Sequence, residues 1–145
     1  MAVGDITVFN EAKAFLLDGG FESTDDIKVA ICDNTTVPAA ATVTPALGDF
    51  TQVGTAGTYV AGGTSLGTLG AMVTESAGTM TFDSATNPTW AQDALNDVDA
   101  YWGIIYNDTD AGDRAIAFVE LGGPVDMSAG DLTVTWNASG IFTIA

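Results

Sequence analysis

The side chains that most enzymes use for nucleophilic or acid–base chemistry are scarce in this sequence. It contains no histidine and one cysteine, Cys32. Ser-His-Asp and Cys-His catalytic sites are therefore excluded, as are zinc sites built from histidine or from four cysteines. The glycine-rich segment 54–70 has no lysine followed by Ser or Thr, so it is not a phosphate-binding P-loop. Only three Lys and Arg residues are available to hold a phosphorylated substrate.

Carboxylates are the remaining candidates for catalysis, because the chain has 19 Asp and Glu residues. Glycoside hydrolysis requires two carboxyl groups at a defined separation. With so many acids, some pair of carboxylates always resembles a catalytic pair, and most of these residues are expected to be solvated surface groups. We predict that the protein is not an enzyme and has no cofactor. Four acids are noted as candidates for a catalytic pair: Glu75, Asp83, Glu120 and Asp126.

A compact acidic turn, D-T-D-A-G-D, raises the question of a metal site. Its carboxylates are Asp108, Asp110 and Asp113, and calcium prefers clustered oxygen ligands of this kind. The spacing departs from the EF-hand order, because Gly112 precedes the third Asp and no Glu follows at the bidentate position. A hairpin turn in which Asp accepts local backbone hydrogen bonds is the alternative. We predict no bound metal and retain these three residues as the candidate set.

Three tryptophans could form a platform for sugar stacking. Trp102 and Trp136 lie in segments of alternating apolar residues, which favours the core. Trp90 follows Asn87-Pro88-Thr89 in a stretch typical of a loop. We therefore predict that Trp90 is the exposed aromatic anchor.

The elements that position these residues are one helix followed by strands. Apolar residues at helical spacing, beginning with Val8 and Phe9, predict a helix over about 7–18, with Thr7 as its N-cap and Gly19-Gly20 as its stop.

Alternating apolar residues then predict strands from about residue 26 to the end. Residues 107–113 should join two of them in a hairpin, and Ala138-Ser139-Gly140 should close a final hairpin. The segment 54–70 is expected to be an exposed loop system. Short β-like pieces are predicted at 50–53, 59–61, 71–74 and 78–82. The whole chain, 1–145, is predicted to form one mainly β domain, an antiparallel β-sandwich or barrel-like fold with a short N-terminal helix.

The charge balance limits the partners. The formal net charge is −16, so nucleic acid and anionic membranes are disfavoured because both attract Lys and Arg. No apolar run approaches the roughly 20 residues that a membrane-spanning helix needs. An acidic surface keeps a protein soluble and can steer it toward a basic patch on another protein.

Several ordered motifs resemble a family of small bacteriophage virion proteins. The family's strand motif "DTLKVALTNTAP" is similar to residues 26–35, and its "GYTAGG" to residues 58–63. Its "YAVLYNDT" is similar to residues 101–109, and its closing "AGETFTVDFDASG…LTIA" to residues 128–145. An opening helix that starts Phe9-Asn10 also matches. The insertion at residues 87–97 and the strongly acidic balance depart from the family.

The resemblance implies a virion structural protein that is made in the bacterial host cytoplasm. We expect a capsid decoration (cement) protein on the outer surface of the phage head, bound to the major capsid protein and self-associated as a homotrimer. A tail or fibre component that binds a host-surface carbohydrate or protein is the alternative. The candidate interface residues are Tyr59, Trp90, Leu66, Leu69, Met72 and Met80. The two leucines and two methionines flank the glycine-rich region and are equally compatible with ordinary core packing.

Overall fold

The computed structural model describes residues 2–144, apart from the side chain of Leu17. The fold is mainly β with antiparallel sheets, as predicted, and has two helices. A 3-10 turn at Leu47–Asp49 precedes β3. The elements in chain order are β1 (Ile6–Val8), α1 (Asn10–Leu17), β2 (Asp26–Cys32), β3 (Thr64–Thr68), α2 (Leu69–Met72), β4 (Val73–Ser76), β5 (Thr79–Phe82), β6 (Thr89–Trp90), β7 (Ala100–Asn107), β8 (Ala115–Val125), β9 (Leu132–Thr133) and β10 (Phe142–Ile144).

The largest sheet has five strands in the order β1-β8-β7-β2-β3, and every neighbouring pair is antiparallel. The predicted hairpin through residues 107–113 is present, since β7 pairs with β8. Strands β2 and β7 are buried on both faces along most of their length. This explains why their sequences are almost continuously apolar rather than alternating with polar residues.

An aromatic cluster packs against this sheet, and the remaining strands form smaller sheets. On one face the Phe118 ring packs against the rings of Phe9 and Trp102, with centroids 5.0 and 6.1 Å apart. Phe50, from the long connection between β2 and β3, continues this aromatic cluster. The remaining strands form two small sheets, β10-β5-β4 and β6-β9. The result is a sandwich-like arrangement in which one layer is continuous and the others are short.

The helix begins later than the sequence pattern predicts. Residues 6–8 form β1, whose backbone pairs with β8, so the chain cannot turn helical before Asn10. Phe9 occupies the N-cap position, and its side chain has no capping hydrogen bond. The prediction of Thr7 as N-cap is therefore wrong. The helix ends at Leu17, shortly before Gly19, whose φ of +71° suits a glycine stop.

Several strand predictions also need correction. The segment 54–70 is not all loop, because Thr64–Thr68 pairs with β2 as an edge strand. Residues 50–53 contribute only a bridge between Gln52 and Cys32. Residues 59–61 form no strand, and α2 occupies part of the predicted strand at 71–74. No final hairpin forms within the described residues, because β9 pairs with β6 and β10 pairs with β5.

Candidate functional site

An open groove of about 700 Å³ lies between the β1 end of the large sheet and the last part of the chain. One wall is formed by residues 3–6 and 119–121, and the other by residues 133–137 and 139–143. Both β1 and β10 are edge strands of their sheets. The groove therefore lies where two sheets end beside each other.

The floor of the groove is apolar and firmly held. Val119, Val134 and Ile141 line it and are buried. Trp136 also lines it, and its Nε1 donates a hydrogen bond to the Thr86 carbonyl oxygen at 3.1 Å. The backbone N–H of Trp136 donates to Oδ1 of Asn87 at 3.0 Å. These contacts fix the tryptophan at the base of the groove, where little of its ring is available for stacking on a ligand.

The outer edge of β1 presents backbone groups that the sheet does not use. The Phe9 N–H donates to the Ile116 carbonyl oxygen at 3.0 Å, so Phe9 and Ile116 form a hydrogen-bonded pair. Such pairs alternate with non-bonded pairs in an antiparallel ladder. The pairings of Ile6 with Val119 and Val8 with Ala117 are then non-bonded. The N–H and C=O groups of Ile6 and Val8 consequently point away from β8.

The ionisable residues that line the groove are both acidic, Asp5 and Glu120. Two of the three basic residues of the chain are engaged in contacts elsewhere. The Lys28 ammonium lies 2.7 Å from a carboxylate oxygen of Asp108, and this bond holds the pKa of Lys28 above its ordinary value. The guanidinium of Arg114 lies 3.2 Å from the ring centroid of Phe15. The groove is therefore a negatively charged cleft with an apolar base.

The acidic turn is a structural hairpin turn in this fold. Asp108 is paired with Lys28, and Asp110 accepts a hydrogen bond from the Gly112 N–H and lies 4.0 Å from Arg114. Asp113 closes the turn with a backbone φ of +48°. Across the part of the chain that the structure describes, no group of three Asp, Glu, Cys or His side chains is arranged to hold a metal ion. The three candidate carboxylates are thus not brought together as ligands.

The predicted exposure of Trp90 is wrong. Trp90 is only 6% exposed, because β6 pairs with β9 and its ring packs 6.3 Å from the ring of Tyr59. Tyr59 is itself 1% exposed, and its hydroxyl accepts a hydrogen bond from the Ile31 N–H and donates one to Gln52. Neither aromatic side chain is available as a surface contact. Trp102 and Trp136 are buried, as predicted.

The apolar interface candidates divide between core and surface. Leu66, Leu69 and Met72 are buried within the domain, so the prediction that they form a subunit contact is wrong for this fold. Met80 is 39% exposed on β5, opposite Ile144 of β10, which is 41% exposed. These two residues form an exposed apolar pair on the smaller sheet.

The four catalytic candidates are dispersed. Glu75 accepts a hydrogen bond from the Gly78 N–H in the β4–β5 turn. The Ser128 hydroxyl donates to Asp126 and lowers the pKa of that carboxyl. Glu120 lines the groove, whereas Asp83, Glu75 and Asp126 are not among its lining residues.

Burial raises the pKa of the Cys32 thiol to about 12, so the thiol is protonated at neutral pH and is a poor nucleophile.

The groove was not found from the sequence. One wall joins residues 3–6 to residues 119–121 of β8, the other comes from residues 133–137 and 139–143, and no local pattern indicates that these segments come together.

Searches against family models, curated proteins and solved structures found no match to this chain. None of the described helices has the length and apolar character needed to cross a membrane.

Proposed function

We propose that the chain is a structural protein of a bacteriophage virion, and specifically a capsid decoration (cement) protein. It binds the major capsid protein on the outer surface of the head and stabilises the coat subunits. The observation that carries this proposal is the groove at the junction of two sheet edges, on a domain whose buried polar side chains are engaged internally. Within residues 2–144 every buried side-chain nitrogen or oxygen has a hydrogen-bond partner. The resemblance of several ordered motifs to those of small virion proteins supports the same role.

The charge of the chain supports protein rather than nucleic acid or lipid as the partner. A net charge of −16 repels phosphate groups and anionic bilayers. The same charge attracts a basic surface on a coat subunit and accelerates encounter with it. The chain is synthesised in the host cytoplasm and then joins the particle.

Self-association as a homotrimer requires an apolar contact, because three strongly acidic chains repel one another. The buried positions of Leu66, Leu69 and Met72 leave Met80 and Ile144 as the exposed apolar residues of this region. Phe142 packs beside them, with its ring 4.6 Å from that of Phe82. A contact centred on Met80 is therefore our revised proposal for the trimer interface.

A tail or fibre component that binds host-surface sugar remains the alternative class, but its structural support is weaker. The exposed aromatic residues on which it depended, Tyr59 and Trp90, are both buried.

The test is the stability of heads from the phage that encodes the chain, prepared without it. Saturating such heads with the purified protein is expected to raise the temperature at which they release their contents. A matched sample receives the same protein after heat unfolding. Heads that bind no protein, or that bind it without any gain in heat resistance, would contradict the proposal.

A further inference from the structure

We infer that the groove binds one extended segment of a partner protein that carries Lys or Arg residues, and that this segment pairs with the outer edge of β1. The inference rests on the proposed role as a docking protein and assigns the contact to a particular surface.

The backbone of β1 is suited to such pairing. The N–H and C=O groups of Ile6 and Val8 point away from β8, as derived above from the Phe9–Ile116 hydrogen bond. A peptide that adds a strand to a sheet edge gains its affinity from main-chain bonds of this kind. An edge strand without a partner is also the part of a sheet that most readily accepts another chain.

The size and shape of the groove select an extended chain. Its volume of about 700 Å³ lies within the range of roughly 300–1,000 Å³ that holds a drug-sized ligand. A few residues of extended polypeptide fill such a space, whereas a folded element does not fit. Alternate side chains of a strand point to opposite sides, so one set faces the groove lining, where the exposed side chains of Thr133, Thr135 and Thr143 lie, while the other remains at the rim.

The charges at the rim determine which side chains the segment carries there. Asp5 and Glu120 line the groove, and none of its lining residues is Lys or Arg. A segment with basic residues at alternate positions is attracted by these two carboxylates and by the net charge of the chain, whereas an acidic segment is repelled. A glycan is disfavoured because Trp136, the tryptophan that lines the groove, is only 9% exposed and offers little ring surface for stacking.

The first experiment uses a synthetic peptide of alternating Lys and Val, about eight residues long, which is an ordinary strand length. We expect it to bind the full chain and to slow amide hydrogen exchange at Ile6 and Val8. Exchange at Phe9, already bonded to Ile116, should not change. A Glu-Val peptide of equal length should bind at least about tenfold more weakly. Equal binding of the two peptides, or a chitooligosaccharide that displaces the Lys-Val peptide, would overturn the inference.

Variants test the two parts of the site separately. Ile6→Pro removes an outward N–H without removing a bond to β8, and it should abolish peptide binding that Ile6→Val retains. The double variant Asp5→Lys/Glu120→Lys should weaken binding by about tenfold. Asp18→Lys/Asp99→Lys is the matched control, since it changes the charge equally at two exposed positions outside the groove. Equal weakening by both double variants would show that only net charge matters and would refute the site.

Heads prepared without the chain separate this inference from the proposed function. The wild-type protein and the control double variant should bind them, and the groove variants should not. If the groove variants bind the heads as tightly as the wild type does, the groove is not the docking site and the decoration role still stands. If the wild type itself fails to bind, the proposed function fails, whatever the peptide shows.

Discussion

The hydroxyl of Tyr59 links the loop after β2 to the large sheet through two hydrogen bonds. Its removal should therefore lower the free energy of unfolding by the loss of both bonds. It accepts a hydrogen bond from the Ile31 N–H at 3.1 Å and donates one to Oε1 of Gln52 at 2.8 Å. The side chain is 1% exposed, so water does not replace these partners. The substitution Tyr59→Phe deletes both bonds and keeps the ring.

The expected loss of stability depends on which hydrogen bonds Gln52 and Ile31 retain in the Tyr59→Phe variant. Oε1 of Gln52 still accepts the Gly62 N–H at 2.7 Å, so the bond lost there costs about 0.5–1.5 kcal/mol. The Ile31 N–H is left buried without an acceptor, which costs about 1–3 kcal/mol. Together these give a fall of about 1.5–4.5 kcal/mol in the free energy of unfolding, out of a total of roughly 5–15 kcal/mol.

Urea unfolding followed by circular dichroism measures this loss. With a slope of about 1–3 kcal/mol per molar urea, the midpoint should fall by about 0.5 M or more. Tyr101→Phe is the matched control, because the Tyr101 side chain is half-buried and its hydroxyl has no hydrogen bond within the described residues; its effect should stay within about 0.5 kcal/mol. Equal losses for the two variants would refute the role assigned to the Tyr59 hydroxyl.

Two further predictions concern a strained turn and the buried thiol. Ala77 has a φ of +51° beside Gly78 at +84° in the two-residue β4–β5 turn, so Ala77→Asn should raise the free energy of unfolding by about 0.5–1 kcal/mol. Ala85→Asn, at a position without positive φ, serves as the control, and a loss of stability in Ala77→Asn would contradict the reasoning. Burial raises the pKa of the Cys32 thiol in the folded chain to about 12, from an ordinary value of 9.0. Above about pH 9 the unfolded chain therefore binds fewer protons, and stability falls as pH rises. Cys32→Ala should flatten this alkaline slope of the urea midpoint; an unchanged slope would show that the thiol does not contribute to it.

The strongest local patterns predicted the centre of the fold. Strand β2 and the β7–β8 hairpin were predicted from alternating apolar residues and from the turn-rich segment between β7 and β8. The start of α1 was misplaced because Thr7 and Val8 fit a helical period as well as an extended one. Pairing with β8, more than a hundred residues later in the chain, decides between them.

The burial of Trp90 shows what local patterns cannot predict. Its neighbours Asn87 and Pro88 are typical of a loop, yet its backbone pairs with Leu132 and its ring packs against Tyr59. Both contacts involve residues distant in sequence. The groove has the same origin, since residues 3–6, 119–121 and 133–143 are far apart in sequence and only the assembled fold brings them together.

The strand order of the large sheet has a consequence for how the protein is made. Its neighbours β1 and β8 are separated by more than a hundred residues, and β2 and β7 by about half of the chain. Sheets dominated by such distant pairings fold slowly, because a long loop must close before any pairing stabilises it. A ribosome therefore releases most of the polypeptide before its central strand β7 can find β2, and apolar strands stay exposed during that interval. Mutual repulsion among the 19 carboxylates keeps neighbouring nascent chains apart until the sheet has closed.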